Sequence, residues 1–100
     1  MSVITEVSPD GQKLTISIKG RFDFAKHREF RESYETTDVR NAVVVDLKDA
    51  TYLDSSALGM LLLLRDHVGG EAADVRLINS SSDVRKILAI SNFDKLFDIT

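Results

Sequence analysis

One hundred residues, 43% of them hydrophobic, are enough for one domain around one core and too few for two. The net charge of −3 gives no general electrostatic pull toward nucleic acid or an anionic membrane, and the absence of cysteine excludes disulfides, thiolate catalysis and cysteine-ligated metal. The opening MSVITEVSPDG has neither the basic nor the apolar region of a secretory signal, and the apolar run Met60 to Leu64 falls far short of the ~20 residues of a membrane span. A cytoplasmic domain without membrane insertion or direct nucleic-acid contact is therefore expected.

In chain order, SVITEV and KLTISIKG flank SPDG, whose Pro9, Asp10 and Gly11 suit a turn. Leu14, Ile16 and Ile18 alternate with Thr15, Ser17 and Lys19, the pattern of a half-buried strand, so the two segments read as a hairpin. Asp23 is placed to cap a helix running to about Glu35, with His27, Phe30 and Tyr34 on one face and Arg28 and Glu32 as a solvent-facing i,i+4 pair on the other. AVVVDL, from Ala42, is a continuous apolar run, as expected of a central strand covered on both sides. After a short connection, SSALGMLLLLRDH forms the second helix, ended by Gly69 and Gly70. DVRLIN is a further strand. Ser82 and Asp83 open a third helix on which Val84, Ile87 and Leu88 share a face, Asn92 breaks it, and FDKLFDIT closes the chain as a short turn or strand. This order predicts a single α/β domain over residues 1–100, its mixed, mostly parallel sheet carrying an N-terminal hairpin and helices packed on it. Asp54, Ser55 and Ser56 then lie beyond the carboxyl end of the central strand, where α/β folds commonly meet ligands and partners.

Aspartate and serine are preferred helix caps, so Asp54, Ser55 and Ser56 need no further role to be explained. Nucleophilic catalysis fits poorly. A catalytic serine needs a base, and the histidines are His27 and His67; on one helix His67 lies ~18 Å from Ser55 along the axis. His27 is on another element and has no recognisable triad context, and neither serine sits in a G-x-S-x-G elbow. Two lone histidines form no metal site, no phosphate-binding glycine loop is present, and neither cofactor nor enzymatic activity is expected. The third role for a serine here is as a substrate. A phosphate at a helix N-terminus meets unpaired N–H groups and a favourable dipole, so the fold persists while the surface gains about −1.5 to −2 charge beside Asp54.

The leucines of this helix exceed what a half-buried helix needs. At 100° per residue, Ala57, Met60, Leu61, Leu64 and Val68 make the inward stripe. Leu58 falls on its flank near Arg65, while Leu62 and Leu63 fall on either side of the polar Asp66. Either neighbouring elements cover Leu62 and Leu63, or Leu58 and Leu62 form an exposed apolar strip beside the serines, of the kind that marks a protein contact. Gly59 costs ~1 kcal/mol in a helix relative to alanine, and serves close packing on the sheet or close approach by a partner.

VVVDLKDATYLDSSALG resembles the signature of STAS domains, specifically the anti-sigma factor antagonists, in which an apolar strand and DL lead to D-S-[ST]-G-[LI]-G. The resemblance spans nearly the whole chain and includes KGRFDF, similar to the family's G-x-[LFI]-D segment, and the closing VRKILAISNFDKLFDI. YLDSSALGMLLLLRDH is most similar to the HsbA-like antagonists of proteobacteria. The resemblance implies partner switching. The unphosphorylated antagonist binds an anti-sigma factor that is often a serine kinase, phosphorylation prevents binding, and a PP2C-type phosphatase restores it. It implies Ser55 as phosphoacceptor, with Ser56 as the adjacent alternative and Asp23, Asp54, Ala57 and Gly59 around it; Leu58 and Leu62, from the helix periodicity, with Arg65 beside them, are the expected partner-binding set. Ala57 departs from the family's usual glycine and Arg21 from a commonly acidic position, and the additional C-terminal helix of many relatives is expected to be absent or minimal. The alternative within the same family is an accessory STAS subunit docked constitutively on the ATPase of an ABC-type lipid transporter. Neither the partner's identity nor the oligomeric state follows from the residues.

Overall fold

The structure is a computed structural model that describes residues 2–37 and 42–100. Strands β1 (Val3–Val7) and β2 (Lys13–Phe22) form the expected antiparallel hairpin, with Val3 opposite Ile18 and Val7 opposite Leu14. Its loop is fastened by side chains: the Asp10 carboxylate accepts the Ser8 hydroxyl and the Gln12 N–H, and these bonds hold its pKa below the usual 3.8. Gly11 supplies the positive φ of +72° that the turn requires.

Helix α1 (His27–Glu35) leads to β3 (Ala42–Leu53), α2 (Ser55–His67) to β4 (Val75–Ile78), and α3 (Ser82–Ile90) to β5 (Asp98–Ile99). The sheet order is β1-β2-β3-β4-β5, with every pair after the hairpin parallel. Because the strand order never reverses, right-handed crossovers bring all three helices to one face. The burial agrees. Leu14, Ile16 and Ile18, Val43, Val45 and Leu47, and Val75 and Leu77 join Phe30, Leu61, Leu64, Val84 and Leu88 in one core. The alternate residues Ile4, Glu6, Lys13, Lys19, Arg76 and Asp98 are exposed on the other face. The central strand is thus covered by helices on one side only, correcting the expectation of two; Val44 stays 6% exposed between its strand neighbours Thr15 and Arg76 and lies outside the core cluster.

Three local expectations are also corrected. Asp23 does not open α1 directly; it caps a 3-10 turn, Phe24–Lys26, and α1 starts at His27. The ion pair on α1 is Arg31–Glu35 (3.3 Å) rather than Arg28–Glu32. No connection separates the central strand from Asp54, because β3 runs on to Leu53. It does so by taking one extra residue against β2 between Asp46 and Asp49 and another between Ala50 and Tyr52. The first irregularity is pinned by Asp46, whose carboxylate accepts the Lys48 N–H at 2.9 Å and the Asn79 side-chain amide at 3.1 Å. Across the bulges the buried positions are Leu47, Ala50 and Leu53, every third residue.

Aromatic contacts tie the elements that position α2. Phe22 meets Phe30 at 5.0 Å between ring centroids, Phe30 meets Tyr34 at 5.8 Å, and Tyr34 meets His67 near the end of α2 at 5.0 Å. Ser81 caps α3 by accepting the Val84 N–H at 3.2 Å, and Asn92 ends it with φ +59°.

Candidate functional site

Phe22 and Leu53 are partners at the ends of β2 and β3, and the Asp54 N–H donates to the Phe22 carbonyl at 3.4 Å. Asp23 and Asp54 therefore leave neighbouring strands at the same level. Both are extended, and each turns its carboxylate back onto the start of the following helical segment: Asp23 accepts from the Ala25 N–H at 3.1 Å and Asp54 from the Ala57 N–H at 2.9 Å. By backbone register Asp23 thus stands level with Asp54, the residue before Ser55.

With Asp54 as the cap, Ser55, Ser56 and Ala57 become the first three residues of α2. The capping role open to the serines from sequence alone belongs to Asp54. Ser55 is exposed, Ser56 half-buried and Ala57 fully buried. Neither serine hydroxyl has a hydrogen-bond partner among the described residues. Their backbone N–H groups stand at positions where a helix has no internal acceptor to offer. A covalently attached phosphate at Ser55 would meet these donors and the positive end of the dipole.

The same geometry offers little to catalysis. The two carboxylates are engaged as caps, and Asp23 also pairs with Arg21 at 3.5 Å. The ring of His27 stacks on Phe24 at 5.3 Å, and His67 packs on Tyr34 near the opposite end of α2. No group of three His, Asp or Glu among the described residues could hold a metal ion.

Along α2, Met60, Leu61, Leu64 and Val68 are buried as the periodicity requires. Leu62 and Leu63 are exposed, at 38% and 52%, so neighbouring elements do not bring them into the core. Leu63 borders a shallow groove against α1 with Tyr34, Glu35 and His67. Leu58 is half-buried and packs on the core, so it forms the wall of the apolar strip rather than its crest. Arg65 donates from Nε to the Leu96 carbonyl at 3.2 Å, tying α2 to the C-terminal segment. Apart from its chain neighbours and the backbone of its own helix, Gly59 has no atom within 4 Å of where a Cβ would stand, which removes close packing on the sheet as its explanation.

Sequence reasoning missed three features of this edge. Phe24 is 68% exposed one residue beyond Asp23, and reading it as part of α1 hid it; Asp23 as cap of a separate turn was the available signal. Arg21 lies over the Tyr52 ring at 4.5 Å from its centroid, a cation–π contact set by their direct pairing across β2 and β3. Asp46, the acidic residue of VVVDL, pins the bulge.

The family model described as "Mlab, STAS domain" matches residues 5–98. The chain belongs to the STAS family. A STAS-domain containing protein of Pseudomonas aeruginosa (strain UCBPP-PA14) is 60% identical over 101 residues, covering 100% of both chains. Among solved structures, this STAS domain is similar to the anti-sigma factor antagonist SpoIIAA in its unphosphorylated form, with a TM-score of 0.79 and 19% identity over 98% of this chain and 87% of that one. It is also similar to the Bacillus cell fate determinant SpoIIAA in the phosphorylated form, with a TM-score of 0.68 and 17% identity over 98% and 90%. These likenesses establish the fold: one α/β domain with a five-stranded mixed sheet and three helices. No helix among the described residues is long and apolar enough to cross a membrane.

Proposed function

We propose that this STAS domain is an anti-sigma factor antagonist of the HsbA-like kind, a binding module rather than an enzyme, switched by phosphorylation of Ser55. Unphosphorylated, it binds an anti-sigma factor that is itself a serine kinase; phosphorylated, it lets go; a PP2C-type phosphatase returns it to the binding state. The observation that carries the proposal is the exposed Ser55 hydroxyl at the first position of α2, left free because Asp54 performs the capping. Such a hydroxyl is accessible to a kinase, and its modification breaks no contact of the fold. The phosphate brings about −1.5 to −2 charge to an edge that already carries Asp23 and Asp54, on the helix face that continues through Leu58 to Leu62. A partner docked on that edge would be repelled while the domain stays folded. The reading implies a cytoplasmic location.

A second reading keeps its place because the matching family model is the one described as Mlab: a STAS subunit docked constitutively on the ATPase of a lipid transporter. One experiment separates the two. The protein is isolated from its own cells across growth states with phosphatases inhibited, its mass and fragment ions are measured, and co-purifying proteins are identified. A phosphatase-sensitive phosphate on Ser55 together with a soluble kinase-like partner supports the switch. A phosphate on Ser56 keeps the switch and moves the acceptor by one residue. An unmodified protein held in an integral membrane complex supports the transporter subunit.

A further inference from the structure

β1 is one edge of the sheet, and the hairpin register decides what that edge offers. The Lys19 N–H donates to the Ser2 carbonyl and the Ser8 N–H to the Lys13 carbonyl, so the even-numbered residues of this strand bond to β2. The N–H and C=O groups of Val3, Thr5 and Val7 therefore turn away from the sheet, and no other strand among the described residues pairs with them. Sheet edges are commonly blunted by lysine, proline or a bulge. VITEV has none of these, and its pairing with β2 is regular throughout.

Beside this edge a groove of about 290 Å³ lies between β1 and α1, lined by Val3, Thr5, Glu29, Glu32, Ser33 and Thr36. Its two charged residues are both acidic and exposed, and they stand about one turn apart on α1. Neither is in an ion pair among the described residues. The Ser2 hydroxyl donates to the Glu29 carboxylate at 3.3 Å, which sets that carboxylate at the start of the strand.

We infer that this edge takes up an extended segment of a protein partner, added beside β1 as a sixth strand, with lysine or arginine at alternate positions facing Glu29 and Glu32. The surface is separate from the Ser55 end of α2, and the inference does not depend on the phosphorylation switch. An added strand finds three donors and three acceptors already spaced at every second residue. Its residues two apart point to one face ~6.8 Å from each other, close to the ~5–6 Å between helix positions three apart. Successive inward side chains of such a strand thus reach Glu29 and Glu32 in turn. A second copy of the chain is disfavoured there, because pairing β1 with β1 about a two-fold axis would bring another Glu29 and Glu32 to the same seam. The carboxylates act as a filter that repels the domain's own edge and admits a basic one.

The test is a magnetic-resonance titration of the isotope-labelled full chain with a capped synthetic peptide in which lysine alternates with valine. One control peptide carries glutamate for every lysine, and another is N-methylated on the amides that would face β1. At millimolar lysine peptide, the amides of Val3, Thr5 and Val7 should shift saturably and gain protection from hydrogen exchange, and neither control should protect them. Combining Glu29→Gln with Glu32→Gln should weaken binding about tenfold at low salt. Thr5→Pro removes one outward donor at an edge position where proline is tolerated, and should abolish the protection; the N-methylated peptide asks the same question without altering the fold. No protection at β1, equal protection by the glutamate peptide, or undiminished affinity in the double glutamine variant would each overturn the inference. So would shifts scattered over other acidic residues and erased by salt while the β1 amides stay unprotected, which is general charge attraction. Protection of these amides in the free protein that grows with its concentration would make a second copy the occupant and refute the basic segment.

Discussion

Leu61 and Leu62 are adjacent on α2 and should respond to substitution in opposite ways. Leu61 is 0% exposed, and cutting it to alanine removes three carbons from a closed core; transfer alone is worth ~0.8 kcal/mol per buried methylene, and the residual cavity brings the cost to ~3–5 kcal/mol. Leu62 is 38% exposed, so the same three carbons are about three-fifths buried and Leu62→Ala should cost at most ~1.4 kcal/mol. Leu62→Arg should cost less than ~1 kcal/mol, because the arginine stem covers the same surface while its head reaches water. Urea unfolding followed by circular dichroism measures all three. On the antagonist reading, Leu62→Arg also abolishes partner binding, so the variant combines near-native stability with lost affinity. If Leu62→Arg lowered stability as much as Leu61→Ala, Leu62 would belong to the core and the apolar docking strip would lose its crest.

Three further outcomes follow from the contacts. Asp54→Ala should destabilise the domain by ~1 kcal/mol through loss of the bond to the Ala57 N–H, whereas Asp54→Asn, which keeps an accepting oxygen, should stay close to wild type; equal urea midpoints for both variants would deny the cap its role. Burial, and then the carboxylate of Glu35, hold the Tyr34 hydroxyl above its ordinary pKa of 10.0. The folded state therefore binds that proton more tightly, and the stability it contributes is whole below pH 10 and lost as pH rises through the folded-state value. Tyr34→Phe should flatten this alkaline loss in unfolding midpoints; an unchanged slope would argue against it. In the hairpin, Ser8→Ala should raise the Asp10 pKa toward 3.8 in a carboxyl-carbon NMR titration, and an unmoved value would mean that the serine hydroxyl does not hold it down.

The sequence made the architecture legible because its signals are local. Alternation at Leu14, Ile16 and Ile18, the run Val43–Val45, and the span of α2 between Asp54 and Gly69 each follow from spacing and capping alone. The second half of β3 did not, for a physical reason. Two inserted residues turn the alternation into a period of three, so KDATYL reads as a connection although it is strand. Coverage of one face rather than two depends on the order of strands, which no single segment reveals. At the candidate site, the residue types were visible but not their division of labour. Whether Asp54 or a serine caps α2 is a matter of one residue, and helix boundaries are uncertain by more than that. The exposure of Leu62 and Leu63 required knowing where α1 lies.

The two-residue excess of β3 has a mechanical consequence. β4 pairs with β3 only through Val43–Asp46, so Leu47–Leu53 reaches past its neighbour on that side and is held in the sheet by β2 alone. The segment is a cantilever, with Asp46 at its clamp and Ser55 just beyond its free end. Its reach is fixed by the count of residues between those two points. A single deletion anywhere from Lys48 to Tyr52 would shorten the arm and roll its tip, carrying the start of α2 with it and shifting Leu53 and Ala57 out of their places in the core. Chain length in this strand, more than the identity of its side chains, aims the serine.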